Sequence, residues 1–277
     1  MPELPEVEVV RRDLAAETEG RSISAVAVTG RRTVRRQDPA GLVGRLRGVP
    51  LGKVERIGKF LVVRLADDTG GVLVVHLRMS GQLRLCAPGD PVIRHTHAVV
   101  SLSDGRELRF VDTRTFGELF VAQGSGARPP ELAHIGPDLL DAVASPADLA
   151  EVLAGRSVAV KTLLMDQRRL AGLGNIYSDE ALFAAGIRFD RPAGTLHAGE
   201  VDALHGAIGS TLRAAVEHRG SSLADGTYVD LYGAPGRYQA HHQVYGRAGR
   251  PCRRCGAEVQ RRPFAGRSTF WCARCQR

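Results

Sequence analysis

Four of the five cysteines stand near the end of the chain, in two Cys-x2-Cys pairs that are sixteen residues apart. Cys252 and Cys255 form the first pair, and Cys272 and Cys275 form the second. Four thiolates in this spacing are typical of a tetrahedral zinc site, which then has no open position for catalysis. Disulfides are disfavoured in a cytosolic chain, and a redox site would need only one pair. The sequence therefore predicts one structural zinc ion, held on a short β-hairpin.

The N-terminus offers a different chemistry. Removal of the methionine before a small residue would leave Pro2 as a free secondary amine. An α-amine has a pKa of about 7.7–8.0, against about 10.4 for lysine, so more of it is unprotonated and able to form a Schiff base. Glu3 beside it could donate or accept a proton. Pro2 and Pro5 could instead only stiffen a chain end, and these residues alone favour that simpler interpretation.

A glycine-rich stretch, 171–175, precedes a predicted helix and ends at Asn175. Backbone N–H groups at such a helix start can approach a phosphate. A plain helix–turn–helix connector would have the same pattern, because a short Gly-x-Gly is not specific. Lys161 and Arg156 on the preceding segment favour phosphate binding.

Two predicted loops carry large side chains that suit either packing or DNA. Met79 lies in the first loop, and Arg114 and Phe116 lie in the second. Ordinary packing is the better interpretation of each loop in isolation. The alternative is that they are wedges that fill the gap left when a base leaves the DNA stack.

The charge distribution points to a polyanionic partner. The chain has a formal net charge of +8, and residues 247–277 hold nine arginines and one acidic residue, Glu258, so the remainder sums to zero. A tail this basic indicates nucleic acid, although a merely solvated basic tail is the alternative. The composition, 43% hydrophobic and 25% charged over 277 residues, excludes wholesale disorder and suits about two domains. No apolar run is long enough for a membrane helix and the acidic N-terminus is unlike a signal peptide, so we expect a cytosolic protein.

The elements that must position these residues change along the chain. A helix is predicted to begin at Pro5, with its apolar face at Val7, Val10 and Leu14, and to end near Gly20. Short β-rich runs follow, as in an antiparallel sandwich or barrel. A linker is predicted over 124–130, then helices, then a mobile Gly- and Tyr-rich loop over 221–240, then the zinc hairpin. The predicted strands are 23–28, 60–65, 72–77, 98–102, 107–111 and 118–121. One helix is predicted to begin at Pro146, and three further helices are predicted over 158–166, 176–185 and 199–218.

Five motifs occur in one order that resembles the bacterial formamidopyrimidine-DNA glycosylases, which are 8-oxoguanine DNA glycosylase/AP lyases. Any one motif is weak, but five with the right lengths between them are specific, and they extend over essentially the whole chain. They are Pro2–Glu8, Gly58–Leu61, His76–Gly81, Gly172–Tyr177 and the four-cysteine finger.

The resemblance implies a multidomain α+β fold. An N-terminal helix and antiparallel β-sandwich would occupy 1–130. A helix–two-turn–helix DNA-binding domain with a flexible loop would occupy 131–240, and the zinc finger 241–277. The implied activity is base excision repair of damaged double-stranded DNA by a monomer, without a membrane partner.

The resemblance also implies roles for individual residues. Pro2 would attack the sugar C1′ of a flipped, oxidised purine, and Glu3 would be the general acid. Lys59 would contact phosphate and donate a proton in β-elimination, and Arg267 would bind the damaged-site phosphate in δ-elimination. Met79, Arg114 and Phe116 would fill the void left by the flipped base. The implied DNA contacts are His95, Arg114, Arg156, Lys161 and Asn175.

Two departures from the family pattern bear on specificity. Thr115 stands where the family often has a second arginine, in the loop that faces the opposite strand. The segment 221–238 matches the base-capping loop only loosely. Two other functions stay open. An endonuclease VIII-like glycosylase for oxidised pyrimidines would use the same proline and finger, and a non-catalytic zinc-ribbon protein that senses DNA damage would explain the charge, the finger and the Gly-rich helix start.

Overall fold

The computed structural model describes residues 1–67, 70–123, 128–141, 143, 145–223 and 226–277. Residue contacts divide the chain into two units. The first contains Met1–His134 and Arg219–Arg237, and the second contains Ile135–His218 and Tyr238–Arg277. Part of the predicted linker, 124–127, lies outside the described residues, as do 224 and 225 of the predicted loop. The boundaries at 130 and 240 stay a prediction.

The first helix, α1, covers Leu4–Thr18, with Pro5 in its first turn as the sequence predicts. Its predicted apolar face is buried in the main core of the first unit, where Val7, Val10 and Leu14 are each no more than 1% exposed. Gly20 follows the helix at a φ of 80°, a left-handed conformation that glycine adopts without strain. The helix thus fixes the N-terminal residues against the core.

Two four-stranded antiparallel sheets lie in the described part of this unit, and their inner faces share one apolar core. One sheet has the order β1-β6-β7-β5 and the other β2-β3-β4-β8. The predicted antiparallel sandwich is confirmed. The strands are β1 Ile23–Val28, β2 Leu51–Ile57, β3 Phe60–Leu65, β4 Gly71–His76, β5 Gly81–Cys86, β6 Thr96–Leu102, β7 Glu107–Asp112 and β8 Glu118–Gln123.

Three elements of this unit have no counterpart in the sequence prediction. Strands β2 and β5 each stand at one end of a sheet, and polar side chains interrupt their apolar residues. Helix α2, Pro39–Leu46, is capped by Asp38, whose carboxylate accepts the Gly41 N–H at 3.1 Å. Asp followed by Pro was a usable start signal, but the glycines at 41 and 44 weaken the helical pattern.

Among its described residues, the second unit contains four α-helices and the finger. Ser145 caps α3 and Pro146 is its first residue, as predicted. Helix α4 is shorter than the predicted 158–166, while the next two helices agree with prediction to within one residue at each end. The helices are α3 Pro146–Leu153, α4 Val160–Leu164, α5 Asn175–Ala185 and α6 Ala198–Glu217.

The finger is a β-hairpin, as predicted, formed by β9 Gln260–Phe264 and β10 Arg267–Trp271. Its small core contains Val259, Phe270 and two of the cysteines, and it packs on Phe183 of α5. In the part of the chain that the structure describes, no helix is both long and apolar enough to cross a membrane.

Candidate active site and nucleic-acid interface

One buried carboxylate holds the N-terminal residues in place. Oε2 of Glu6 accepts the backbone N–H of Glu3 at 2.8 Å, and its Oε1 accepts the N–H of Ser221 at 2.7 Å. Pro2, Glu3 and Glu6 are all buried. Gly220 has a φ of 77°, and a Cβ there would lie 2.7 Å from Glu6 Oε1. Glu6 therefore joins the start of α1 to the start of the Arg219–Arg237 segment, and only glycine fits between them.

Lys59 lies in the two-residue turn between β2 and β3. Gly58 takes the first turn position at a φ of 56°, as in a type II′ hairpin turn. The carbonyl of Gly58 accepts a hydrogen bond from Arg56 at 2.9 Å, and Arg56 also donates to Glu8 of α1 at 3.1 Å. Arg56 thus ties the lysine turn to the helix that follows Pro2 and Glu3.

Glu8 is the anionic centre of this arrangement. Burial by itself would raise the pKa of its carboxyl, but hydrogen bonds from Arg11 and Arg12 prevail and lower the pKa to about 2. A permanently ionised Glu8 keeps Arg56 in position. The structure therefore brings Pro2, Glu3 and Lys59 into one unit, on elements that are connected to each other.

Asp112, at the end of β7, holds the two loops that carry Met79 and Phe116. Its carboxylate accepts the Ser80 hydroxyl at 2.6 Å, and the backbone N–H groups of Arg114 at 3.0 Å and Gly117 at 2.7 Å. Its own N–H donates to the carbonyl of His95 at 3.0 Å. The loops with Met79 and Phe116 are therefore fixed around one buried carboxylate, and the backbone of His95 is held by the N–H of the same residue.

The large side chains on these loops are not core residues. Met79 and Phe116 are 41% and 43% exposed, which is unusual for side chains of this kind. The guanidinium of Arg114 lies over the Phe116 ring, 4.8 Å from its centroid. Ordinary packing, the better interpretation in isolation, does not account for this exposure.

Contacts among His76, Arg78 and Glu118 also support the Met79 loop. His76 Nδ1 accepts the Arg78 N–H at 2.8 Å, and burial, with the Arg78 charge, lowers the pKa of His76 to about 3, so its ring stays neutral. Arg78 has a φ of 54° and pairs with Glu118 at 3.0 Å. Burial opposes ionisation of Glu118, but Arg36 and Arg78 lower its pKa to about 2.

In the second unit, Asn175 begins α5 and is partly exposed. Its Nδ2 donates to the carbonyl of Ser268 on β10 at 2.8 Å, and its Oδ1 accepts a hydrogen bond from Lys161, also at 2.8 Å. The glycine-rich stretch before it is therefore both a helix start and a point of attachment for the finger.

Lys161, the predicted phosphate ligand, is buried. Its side chain is 2% exposed, and its ammonium also donates to Asp179 at 2.6 Å and to the Thr269 hydroxyl at 2.7 Å. With Asn175, these acceptors use the three protons of the ammonium. Lys161 acts in this structure as a buried support for Asn175 and β10.

Arg267 is exposed at the tip of the finger hairpin. Ala265 and Gly266 form the turn with φ values of 47° and 75°, both positive as in a type I′ turn. Arg156 is also exposed and lines an open groove with Thr162 and Arg169. Neither arginine forms an ion pair with another described residue.

The four cysteines meet as the spacing predicts. Their sulfur atoms all lie within 4.8 Å of one another, with Cys252 Sγ 3.9 Å from Cys275 Sγ and Cys255 Sγ 3.5 Å from Cys272 Sγ. Zn–S bonds of about 2.3 Å in a tetrahedron require sulfur atoms about 3.8 Å apart. The geometry therefore fits one structural zinc ion, which would be held by these four thiolates.

Comparisons with known proteins agree with this arrangement. Profiles of the formamidopyrimidine-DNA glycosylase N-terminal domain, of the H2TH domain of the same enzymes, and of a zinc finger found in FPG and IleRS match residues 1–119, 135–226 and 249–277. A formamidopyrimidine-DNA glycosylase of Symbiobacterium thermophilum is 45% identical over 100% of this chain and 89% of its own, and one of Geobacillus kaustophilus is 42% identical over 100% of both. The chain belongs to the formamidopyrimidine-DNA glycosylase family. It is a DNA glycosylase of base excision repair, in a family with glycosylase and AP lyase activity.

Solved structures of the formamidopyrimidine-DNA glycosylase family share the fold. The MutM (Fpg) protein of Thermus thermophilus is 39% identical and superposes with a TM-score of 0.87, covering 99% of this chain and 98% of its own. The Lactococcus lactis Fpg in complex with abasic-site DNA is 32% identical, with a TM-score of 0.88 and 100% coverage of both chains. The single structural zinc expected from the sequence is confirmed by the zinc-finger match and the four-cysteine cluster, and the abasic-site DNA bound by the Lactococcus lactis Fpg agrees with the expected DNA partner.

Several residues that hold the site together were not predicted from the sequence. They are acidic residues that are buried beside apolar runs, as Asp112 follows an apolar stretch of β7 and Asp179 lies within α5. A buried carboxylate needs a partner, so an acid at an apolar position is the signal that could have identified them. Glu6 differs from these, because an acidic residue in the first turn of a helix suits the helix N-terminus and could also orient the site, and both interpretations hold.

Proposed function

We propose that this chain removes oxidised purines, 8-oxoguanine and formamidopyrimidines, from duplex DNA through a Schiff base at Pro2, and then nicks the strand by β,δ-elimination. The observation that carries the proposal is the joint anchoring of Glu3 and Ser221 on the Glu6 carboxylate. It fixes the backbone beside Pro2 while leaving the Pro2 nitrogen to be freed by methionine removal.

The proposed reaction needs only an amine and proton transfers. The lone pair of the Pro2 nitrogen forms a bond to C1′, and the base leaves with the electrons of its bond and takes up the proton that the amine loses. The C1′–O4′ bond then breaks as Glu3 donates a proton to O4′. The resulting iminium ion acidifies the C2′ proton. Loss of that proton expels the 3′-phosphate, and a second elimination expels the 5′-phosphate.

The remaining residues take positioning and phosphate roles in this proposal. Lys59 donates a proton in the first elimination, and Arg267 binds the phosphate at the damaged site. Met79, Arg114 and Phe116 enter the space left by the flipped base, which their exposure supports. His95, Arg114, Arg156 and Asn175 contact the DNA backbone, and we assign Lys161 to the support of Asn175. The protein would work as a monomer on chromosomal DNA in the cytoplasm.

Oxidised pyrimidines are the second candidate substrate. A Lactococcus lactis Fpg has been crystallised with DNA that contains an oxidised pyrimidine, and it is 32% identical to this chain. The start Pro-Glu-Leu-Pro-Glu and the set of Met79, Arg114 and Phe116 favour purines. The departure at Thr115 leaves the preference for the opposite base open.

The test is a single-turnover comparison with the untagged protein on two labelled duplexes. One contains 8-oxoguanine opposite cytosine, and the other contains 5-hydroxycytosine. Faster excision of the purine, with both phosphates lost, supports the proposal. Faster excision of the pyrimidine would keep the mechanism but change the substrate class, and DNA binding without cleavage of an abasic duplex would contradict the Schiff-base mechanism.

A further inference from the structure

Arg219 has an unusual backbone conformation just after α6. Its φ is 60°, in the left-handed region, and Gly220 follows with a φ of 77°. A residue with a Cβ atom is strained in this region and persists there only when its surroundings hold it. The side chain of Arg219 must therefore make contacts that compensate for its backbone.

Those contacts join three parts of the first unit. The guanidinium of Arg219 donates to Asp13 of α1 at 3.2 Å through Nη1, and to Asp230 at 2.9 Å through Nε and at 2.6 Å through Nη2. Asp13 and Asp230 are 9% and 2% exposed. Arg219 thus connects the start of the Arg219–Arg237 segment to Asp230, which lies farther along the same segment, and to helix α1.

Asp230 in turn holds the backbone of the residues that follow it. Its other oxygen, Oδ1, accepts the N–H groups of Tyr232 at 3.0 Å and Ala234 at 2.8 Å. The neighbouring Leu231 carbonyl accepts the N–H of Leu85 on β5 at 2.9 Å, which attaches the segment to a sheet edge. The described part of the segment, 219–223 and 226–237, is therefore anchored at both ends, where the sequence predicts a mobile loop.

We propose that Arg219, Asp13 and Asp230 form a positioning clamp that sets how the Arg219–Arg237 segment meets the damaged base. The inference rests on the proposed function, because it takes the base to be bound beside Pro2 and Glu3. Ser221, two residues after Arg219, shares the Glu6 carboxylate with Glu3. A shift of the segment start therefore changes the surroundings of the base, while the amine and the phosphate contacts remain.

The proposal predicts a separation between two reactions of one protein. Excision of 8-oxoguanine needs the base to be recognised, whereas cleavage of a preformed abasic site does not. In Asp230→Asn the charge is lost but the side-chain shape and the acceptor for Tyr232 and Ala234 remain. We expect its single-turnover excision rate at saturating enzyme to fall about tenfold, equivalent to ~1.4 kcal/mol, with abasic-site cleavage within about twofold of wild type.

Arg219→Gly is a second variant, and it tests the clamp even if Asp230→Asn fails to fold. Glycine relieves the left-handed backbone but leaves the Asp13 and Asp230 carboxylates without the guanidinium, so the melting temperature falls. Excision, measured at a temperature where the variant is folded, falls as in Asp230→Asn. Arg219→Lys, which keeps the charge but not the forked geometry, restores part of the loss. Glu55→Gln is the matched control, because it breaks a half-buried pair with Arg64 at 2.7 Å that does not touch the segment.

The outcomes distinguish this inference from the function on which it rests. Equal loss of both reactions in Asp230→Asn and Arg219→Gly, or unchanged excision in Arg219→Gly, would overturn the clamp. If the wild-type protein itself failed to cleave the abasic duplex, the proposed function would fail, whatever the variants did.

Discussion

The buried pair of Lys161 and Asp179 gives the most discriminating prediction from this structure. We expect Lys161→Met to destabilise the protein strongly. The substitution keeps the length of the side chain but removes the ammonium. The carboxylate of Asp179, whose side chain is 0% exposed, then retains the Phe270 N–H as a hydrogen-bond donor. Removal of one partner of a buried ion pair lowers the free energy of unfolding by about 3–5 kcal/mol.

The assay is thermal unfolding of the zinc-loaded full chain. A loss of this size lowers the melting temperature by about 10 °C for a protein of this length. Burial raises the pKa of Asp179 and the Lys161 ammonium opposes that shift, so without the lysine the carboxyl takes up a proton more readily. A group with a raised folded-state pKa stabilises the fold below that pKa, so the deficit of Lys161→Met is smaller at mildly acidic than at mildly basic pH.

A control variant and a double variant test whether the unpaired buried charge causes the loss of stability. Lys53→Met removes an exposed lysine that pairs with Glu55 at 3.1 Å, and it should change the melting temperature by little. The double variant Lys161→Met with Asp179→Asn should recover part of the loss, since no buried charge is left unpaired. If Lys161→Met instead kept wild-type stability and lowered only the DNA affinity and its salt dependence, the lysine would be a phosphate ligand and our account of it would be wrong.

Three further predictions concern catalysis, the metal and pH. Glu3→Gln should block excision of 8-oxoguanine in a gel assay while some cleavage of a preformed abasic site remains; excision at the wild-type rate would remove Glu3 from its role. Cys272→Ser should lose zinc, measured by metal analysis, together with DNA binding in a mobility-shift titration, and retention of both would contradict a structural zinc. The pKa of Glu118 is held at about 2 in the folded chain, below its ordinary value of 4.5, so its ion pairs stabilise the fold above the ordinary value and this contribution is lost as the pH falls toward 2. Glu118→Gln should therefore be less stable than wild type at neutral pH, with the difference shrinking in acid unfolding curves, and a constant difference would show that the charge is not the cause.

Local patterns were sufficient to predict much of the fold and the metal site. The 3.6-residue period of α1, the short β-rich runs of the central strands and the cysteine spacing each act over short stretches of sequence. Strands β2 and β5 were missed because polar residues such as Arg56 and Arg84 interrupt their apolar residues, whereas the other two edge strands, β1 and β8, were predicted. Only their pairing in three dimensions identifies them as strands.

The supports of the site could not be predicted for a different reason. Arg219 and Asp13 are 206 residues apart in sequence, and nothing local to either indicates the other. Lys161 looked like a phosphate ligand because it precedes a glycine-rich stretch, and the sequence does not show that its ammonium is buried against Thr269. The catalytic residues were assigned from a resemblance. Of the buried carboxylates that support the site, Glu6 could be expected to orient it, whereas the contacts of Asp112 and Asp179 became visible only in the structure.

The central claim is that the Pro2 nitrogen is the nucleophile, and borohydride trapping followed by peptide mapping tests it most directly. The untagged protein is reacted with a duplex that contains 8-oxoguanine, reduced, digested and analysed by tandem mass spectrometry. We predict that the sugar remnant is attached to the N-terminal peptide at Pro2, and that a form with an uncleaved N-terminal extension binds DNA but gives no adduct. An adduct on Lys59 or another lysine, or undiminished trapping by the extended form, would contradict the account.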